Sequence, residues 1–295
     1  MNIETFGPID PRSKDQLERC ATAAISAGNE SVLGVLCADH HPGYSMPIGG
    51  VLALKNHVMP AGVGYDIACG NCAVGTTIQA SDVEVSRVMD EIIGVISFVI
   101  GRKNSEHVTD HPVYDLIAAS PIRGQRALLQ LAKDQLGTVG SGNHYVDLFE
   151  NRQDGTLWVG VHFGSRGFGH KTCTGFLSLA GGKSFEEHTS EGGMDSVPVL
   201  LSIDRPLGQD YLVAMAIAGQ YAYAGRNWVI DRILKLLQTT ATMRVHNHHN
   251  FAWKEVHQGE SWLVIRKGAT PAFPGQLGFI GGTMGEDAVI VEGLE

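Results

Sequence analysis

The sequence predicts a mixed α+β fold, and three observations carry that expectation. Apolar runs of strand length are interspersed with capped, helix-length segments. No regular strand–helix–strand period joins them, which argues against a doubly wound parallel sheet. The 295 residues are 43% hydrophobic and 18% charged, the balance of a chain that buries a sizeable core.

Taken in order, residues 13–26 read as a helix opened by a capping box of Ser13 and Gln16. Val32 to Cys37 and Ile48 to Leu54 are apolar runs expected as buried strands, joined through a Gly-rich turn at 43–50. Ser81 and Glu84 form a second capping box, opening a helix that runs to about Val95. Residues 102–120 are polar and irregular and read as a surface loop. Ile122 to Gln135 reads as a helix stopped at Gly137. Leu157 to Phe163 is a strand entering a Gly-rich turn. Asp210 to about Leu237 is the longest helical pattern, rich in Ala and Tyr, with Gly219 and Gly225 as interruptions. Trp262 to Arg266 and Ala288 to Val291 are the last expected strands. No linker, charge block or internal repeat divides the chain, so residues 1–295 are expected to form one domain.

Charge and cysteine usage exclude several classes. Lys and Arg number 22 against 31 Asp and Glu, a net charge of −9, so a polynucleotide would have to be held at a local site and not by a basic surface. Five cysteines are too few for a disulfide scaffold and point to a reducing cytoplasm. The segment Met1-Asn2-Ile3-Glu4 lacks the basic and apolar regions of a secretory leader. No apolar run reaches the ~18–20 residues of a membrane span, so no membrane partner is expected.

The chemistry concentrates where histidines meet glycines. There are 13 histidines and 37 glycines, and several histidines flank Gly-rich turns that can aim side chains inward. In Ala-Gly-Val-Gly-Tyr-Asp-Ile-Ala-Cys-Gly (61–70), Asp66 and Cys69 stand three apart in one turn, a spacing that lets a carboxylate and a thiolate converge; a turn Asp beside a buried Cys explains the same segment. Cys69 and Cys72 form the one Cys-x-x-Cys pair, which disfavours a structural zinc ribbon. Gly-Ser-Gly-Asn-His-Tyr-Val-Asp (140–147) supplies Asn143 and His144. In Val-His-Phe-Gly-Ser-Arg-Gly-Phe-Gly-His (161–170), His162 ends a strand and Ser165 and Arg166 lie in a glycine turn suited to a phosphate. His-Asn-His-His-Asn (246–250) is the densest histidine cluster. A Cys-His-Asp set can hold zinc, iron or manganese. Asp66, Cys69, His144, His162 and His249 exceed what one tetrahedral ion needs, so a pair of ions sharing the thiolate is expected, an arrangement suited to phosphoryl chemistry.

In this order, the segments at 62–70, 136–145, 162–169, 248–251, 266–276 and 282–285 resemble the RtcB family of RNA-splicing ligases. The resemblance covers nearly the whole chain. It implies RtcB-like mixed sheets with flanking helices around a central metal and nucleotide cleft. It also implies joining of RNA ends bearing a 3′-phosphate or 2′,3′-cyclic phosphate to a 5′-hydroxyl, with GTP and two manganese ions, in RNA repair or tRNA splicing. By position, Asp66, Cys69, His144, His162 and His249 correspond to metal ligands, with Cys69 bridging. Asn143, Tyr145, Asp147 and Thr283 correspond to the nucleotide site, and Arg166 to a contact for the RNA terminal phosphate. Asp147 replaces the family's more usual Glu and shortens its reach.

Other departures are plain. The family's guanylylated histidine lies in a Ser-x-x-His-Gly-Ala-Gly-Arg segment beyond the Gly-Thr-Met-Gly turn at 282–285, whereas residues 1–295 contain no His-Gly pair. Ala38-Asp39-His40-His41-Pro42-Gly43-Tyr44-Ser45 keeps Asp39, His41 and Gly43 of the family's early Pro-Asp-x-His-x-Gly-x-Gly motif but has Ala38 and Ser45 in place of its first Pro and second Gly. Tyr221-Ala222-Tyr223-Ala224-Gly225-Arg226 keeps Arg226 but has Gly225 where the family has Asn. The expected partners are RNA, GTP and either an activating protein or a completing C-terminal segment. The alternative reading is a catalytically deficient, metal-dependent RNA-end-binding relative or a phosphoesterase.

Overall fold

The computed structural model describes residues 2–189, 193–283 and 285–294. The chain runs through strand β1 (Asn2–Thr5), helix α1 (Pro11–Ser26), strands β2 (Leu33–His41), β3 (Ile48–Leu54) and β4 (His57–Val58), and the one-turn helix α2 (Pro60–Val63). Strand β5 (Gly70–Gln79) is followed by helices α3 (Val85–Val95), α4 (Pro112–Ala118), α5 (Arg123–Arg126) and α6 (Leu129–Gln135). Strands β6 (Tyr145–Glu150) and β7 (Thr156–His162) lead into α7 (Arg166–Ala180), the short strand β8 (Leu201–Ser202) and the long helix α8 (Pro206–Leu236). Strands β9 (Met243–His248), β10 (Asn250–His257), β11 (Glu260–Lys267), β12 (Leu277–Ile280) and β13 (Val289–Glu292) complete the described chain.

The expected α+β class holds. One sheet has the order β1-β2-β3-β11-β10 and a second the order β6-β7-β5-β9, with β12–β13 and β4–β8 as two-stranded pairs. Apart from β1–β2, the strand pairs are antiparallel, so the sheets need no repeated crossover helices. Helix α8 joins the two cores. Its first half buries Tyr211, Ala218 and Tyr221 in the core shared with α1 and α7, while Val229, Ile230 and Ile233 pack beneath the second sheet with Val88 and Ile92 of α3. At 31 residues it spans roughly 45 Å. The other face of the second sheet is covered by β12, where Phe279 packs on Ala73 and Val245.

Several elements depart from the sequence pattern for identifiable reasons. Helix α1 starts earlier than the Ser13/Gln16 box predicts, because Asp10 caps it by accepting from the Ser13 amide at 2.7 Å. Gln16 is buried and instead exchanges two hydrogen bonds with the Gly43 backbone. Likewise Glu84, not Ser81, caps α3, accepting from the Arg87 amide. Residues 112–118 are helical within the expected loop: His111 caps the helix, Pro112 opens it, and Val113, Tyr114 and Ile117 form a buried stripe. The expected 122–135 helix is two short ones, because Leu128 leaves helical geometry between them. The glycine turn containing Arg166 is the first turn of α7. Gly219 and Gly225 do not interrupt α8. A Cβ at Gly219 would stand 3.1 Å from the Phe251 ring, and one at Gly225 3.3 Å from Phe163, so both glycines let aromatic rings approach the helix closely. That packing offsets the roughly 1 kcal/mol each costs in a helix.

Because Ile233 is fully buried where α8 meets the second sheet, Ile233→Ala is expected to destabilise the chain by about 2–5 kcal/mol in urea unfolding. Ile93→Ala on the exposed side of α3 is expected to change stability by less than about 0.5 kcal/mol. Equal effects would contradict the placement of this core.

Candidate metal centre

The two sheets and α8 bring one short turn to their junction. The Asp66–Cys69 turn is closed by a hydrogen bond from the Cys69 amide to the Asp66 carbonyl. Its backbone is clamped from two directions. The Ala68 amide donates to the Asn250 carbonyl and the His249 amide to the Cys69 carbonyl, while Ser165 donates through Oγ to the Ile67 carbonyl at 2.5 Å. Ala68 is held at φ +59°, a left-handed conformation that costs a non-glycine residue about 1–3 kcal/mol unless its surroundings fix it.

Five side chains converge on this turn. His162 is the last residue of β7 and lies directly across from Asn71 of β5 and Tyr145 of β6. His144 immediately precedes β6, and His249 sits between β9 and β10. The Cys69 sulfur is 3.3 Å from His162 Nε2 and 3.7 Å from His144 Nε2. His162 Nε2 is 3.2 Å from His249 Nε2. Asp66 Oδ2 is buried and lies 3.0 Å from His144 Nε2. Two triads result, Cys69–His162–His249 and Asp66–Cys69–His144, and Cys69 belongs to both. Ligand atoms about 3–4 Å apart are what two bonds of ~2.0–2.3 Å to one ion require. The donor set of thiolate, carboxylate and imidazole therefore fits transition-metal ions.

Electrostatics prepares the imidazoles but not the sulfur. Burial, reinforced by His144, lowers His162 to about 4, and burial with His162 beside it lowers His249 well below its ordinary value, so both are neutral at pH 7. Burial and the neighbouring Asp66 raise the Cys69 thiol well above its ordinary value, so without a cation it keeps its proton. Burial opposes ionisation of Asp66, but His144 and Arg166 outweigh it and hold the carboxyl below its ordinary value. The Arg166 amide donates to Asp66 Oδ1 at 3.0 Å, and its guanidinium lies 2.7 Å from His144 Nδ1.

Arg226 fixes the frame. It is fully buried on α8, and its hydrogen bonds go to neutral acceptors. It donates to the carbonyls of Ala68 (2.9 Å) and Phe163 (2.6 Å), and to ring nitrogens of His246 (2.8 Å) and His248 (3.0 Å). Burial and this cation hold His246 down at about 2 and His248 well below its ordinary value, leaving both rings as acceptors. One guanidinium thus touches residues adjacent to Cys69, His162 and His249. Nothing in residue spacing marks Arg226 for this role; its signal was the Arg retained in the 221–226 segment. Cys72, the other half of the Cys-x-x-Cys pair, is buried in the core with Val74 and takes no part.

The remaining site residues are placed as follows. Tyr145 stacks edge-on against His162, at 5.3 Å between ring centroids. A Cβ on Gly281 would stand 2.4 Å from its hydroxyl, which brings the 281–283 turn against Tyr145. Asn143, Asp147 and Thr283 are exposed, and Asp147 lies two residues along β6 on the same face as Tyr145. Thr283 shares a tight turn with Glu286, whose amide donates to the Thr283 carbonyl. The 266–276 segment reaches the metal turn through Asn250, which accepts from the Gly268 amide at 2.7 Å and donates to the Asp66 carbonyl at 3.4 Å; Lys267 donates to the carbonyls of Tyr44, Met46 and Ala61.

The family model described as tRNA-splicing ligase RtcB matches residues 22–295. The chain is 30% identical to the RNA-splicing ligase RtcB of Escherichia coli strain K12, over 97% of this chain and 75% of that protein. It is 28% identical to RNA-splicing ligase RtcB homolog 1 of Entamoeba dispar, over 100% and 68%, and 27% identical to the tRNA-splicing ligase RtcB of Archaeoglobus fulgidus, over 96% and 73%.

Metal binding should deprotonate Cys69, whereas His162 and His249 have no proton to lose. Titration with manganese at pH 8, in buffers of different ionisation enthalpy, is expected to show about one proton released per chain. Affinity should therefore rise with pH while the thiol is still protonated, and release of no proton would remove Cys69 from the site. A Cβ on Gly164 would lie 2.6 Å from the Asp66 carboxylate. Gly164→Ala is accordingly expected to weaken metal binding about 10–100-fold. Unchanged affinity in a folded Gly164→Ala protein would contradict the Asp66 placement.

Proposed function

The chain belongs to the RtcB family, and on that footing we propose that it is an RNA ligase. In this reading it joins RNA 3′-phosphate or 2′,3′-cyclic phosphate ends to 5′-hydroxyl ends with GTP and two manganese ions, in the cytoplasm, with residues 1–295 acting as one catalytic unit. The observation that carries the reading is the thiol of Cys69 shared between two ligand triads. Cys69, His162 and His249 would hold one ion and Asp66, Cys69 and His144 the other. Bound there, the ions would supply charge neutralisation for phosphoryl transfer.

The protein's own groups account for orientation. Arg166 is fixed by its amide on Asp66 and its guanidinium beside His144, and its Nε is buried without a hydrogen-bond partner among the described residues. It can therefore receive a phosphate oxygen at the edge of the metal centre, the role we assign it for the RNA terminal phosphate. Tyr145, packed between His162 and the 281 turn, would flank the guanine ring. Asn143 would reach a nucleotide phosphate, and Asp147 and Thr283 the base. An activating protein, or a further C-terminal segment carrying the family's His-Gly motif, would complete the nucleotide chemistry, since residues 1–295 hold no His-Gly pair.

Radiolabelled GTP tests this directly. Residues 1–295 are expected to bind manganese without acquiring covalent GMP. Adding the family's C-terminal segment in trans should restore labelling, on the added segment, and Cys69→Ala should abolish it. Labelling of residues 1–295 alone would relocate the nucleophile, with His170 and His248 the first positions to substitute. Release of inorganic phosphate from a 3′-phosphorylated RNA, without ligation under any of these conditions, would favour a phosphoesterase instead.

A further inference from the structure

Beside the metal centre, and separate from the five converging side chains, lies a cavity of about 300 Å³ at β9, the edge strand of the second sheet. Its lining is aromatic. Tyr223 of α8 has its ring centroid 4.1 Å from those of both His246 and His248. Trp253 and Phe273 also line the cavity, with the Arg266 guanidinium 5.2 and 5.9 Å from their ring centroids. Gln276 supplies the polar feature, because its side-chain amide makes no hydrogen bond among the described residues. Asn247 turns its amide to the other face of β9, where the nitrogen donates to the Leu277 carbonyl at 3.0 Å.

The charges nearby are already committed. Arg226 spends its donors on two carbonyls and two imidazoles, and Arg266 forms a two-pronged pair with Glu255. The cavity therefore offers aromatic faces and the uncommitted Gln276 amide but, among the described residues, no free cation or carboxylate, which suits neither a phosphate nor a metal ion. Its volume is at the lower end for small-molecule sites, enough for one ring system. A flat, neutral ring with an N–H on its edge matches both features, and every nucleobase has such an edge.

We propose that this slot holds an unpaired nucleobase of bound RNA, stacked on the aromatic side chains and giving an edge N–H to the Gln276 amide. The proposal rests on the RNA-ligase reading above. His248, in the lining, directly precedes His249 of the metal cluster, so the base belongs to a nucleotide near the reacting end. Stacking with a single hydrogen bond makes the slot tolerant of sequence.

The test uses residues 1–295 with manganese and a short single-stranded RNA bearing a 3′-phosphate, scanned with one abasic nucleotide at a time. One position near the 3′ end is expected to weaken binding about tenfold when abasic. Phe273→Ala should weaken the intact RNA by a similar factor but leave unchanged the RNA that is abasic at that position, and Phe273→Tyr should restore affinity. Phe273 is 39% exposed, so its truncation leaves the cores intact. On the unaltered protein, 4-thiouridine at the sensitive position should photocross-link to Tyr223, Trp253 or Phe273. RNA binding that tolerates every abasic substitution and Phe273→Ala, or cross-links confined to other residues, would overturn the slot while leaving the ligase reading intact. Absence of any manganese-dependent RNA binding would overturn both.

Discussion

The site depends on a buried cation that has no anionic hydrogen-bond partner. Removing a guanidinium from water costs several kcal/mol, and Arg226 recovers it through four hydrogen bonds to neutral acceptors. Those acceptors are not arbitrary. The Ala68 and Phe163 carbonyls stand next to Cys69 and His162, and His248 stands next to His249. The side chain that satisfies its own burial thereby sets the relative position of three converging groups drawn from three separate stretches of chain. A lysine, with one ammonium point, cannot span this pattern of acceptors.

Much of the fold follows from delivering that guanidinium. Helix α8 has to run through both hydrophobic cores to carry Arg226 to their junction, and it does so with glycines where Phe163 and Phe251 approach most closely. Ala68 accepts a strained left-handed backbone because its carbonyl is held by Arg226 and its amide by Asn250. The converging side chains meet in a buried region where His162 and His249 stay neutral and the sulfur stays protonated until a cation arrives. Such a site costs stability when empty and returns it on binding, since a ligand that binds only the folded state stabilises it.

The sequence and the structure agree best where local chemistry decides the outcome. The run at 48–54 is a strand with the expected bounds, and the motif segments carrying Asp66, Cys69, His144, His162 and His249 meet at one junction. Asp66, Cys69, His144, His162 and His249 were legible because ligand types recur beside glycines. Misreadings came from competing local signals. Asp10 outcompeted Ser13 for a helix start, and a buried Val113/Tyr114/Ile117 stripe was masked by polar neighbours. Arg226 was legible only as a retained motif residue, because its acceptors are backbone carbonyls and distant rings that no spacing reveals. The slot at β9 was hidden for the same reason: Tyr223, Trp253 and Phe273 share no local pattern and meet only through the tertiary fold.

The central claim is that Cys69 joins two metal sites within one cluster. Anomalous diffraction at the manganese edge from crystals grown with manganese addresses it most directly. The account predicts two peaks about 3.5–4 Å apart, both within bonding distance of the Cys69 sulfur, one beside His162 and His249 and the other beside Asp66 and His144. A single peak, or two peaks of which one does not touch Cys69, would contradict it.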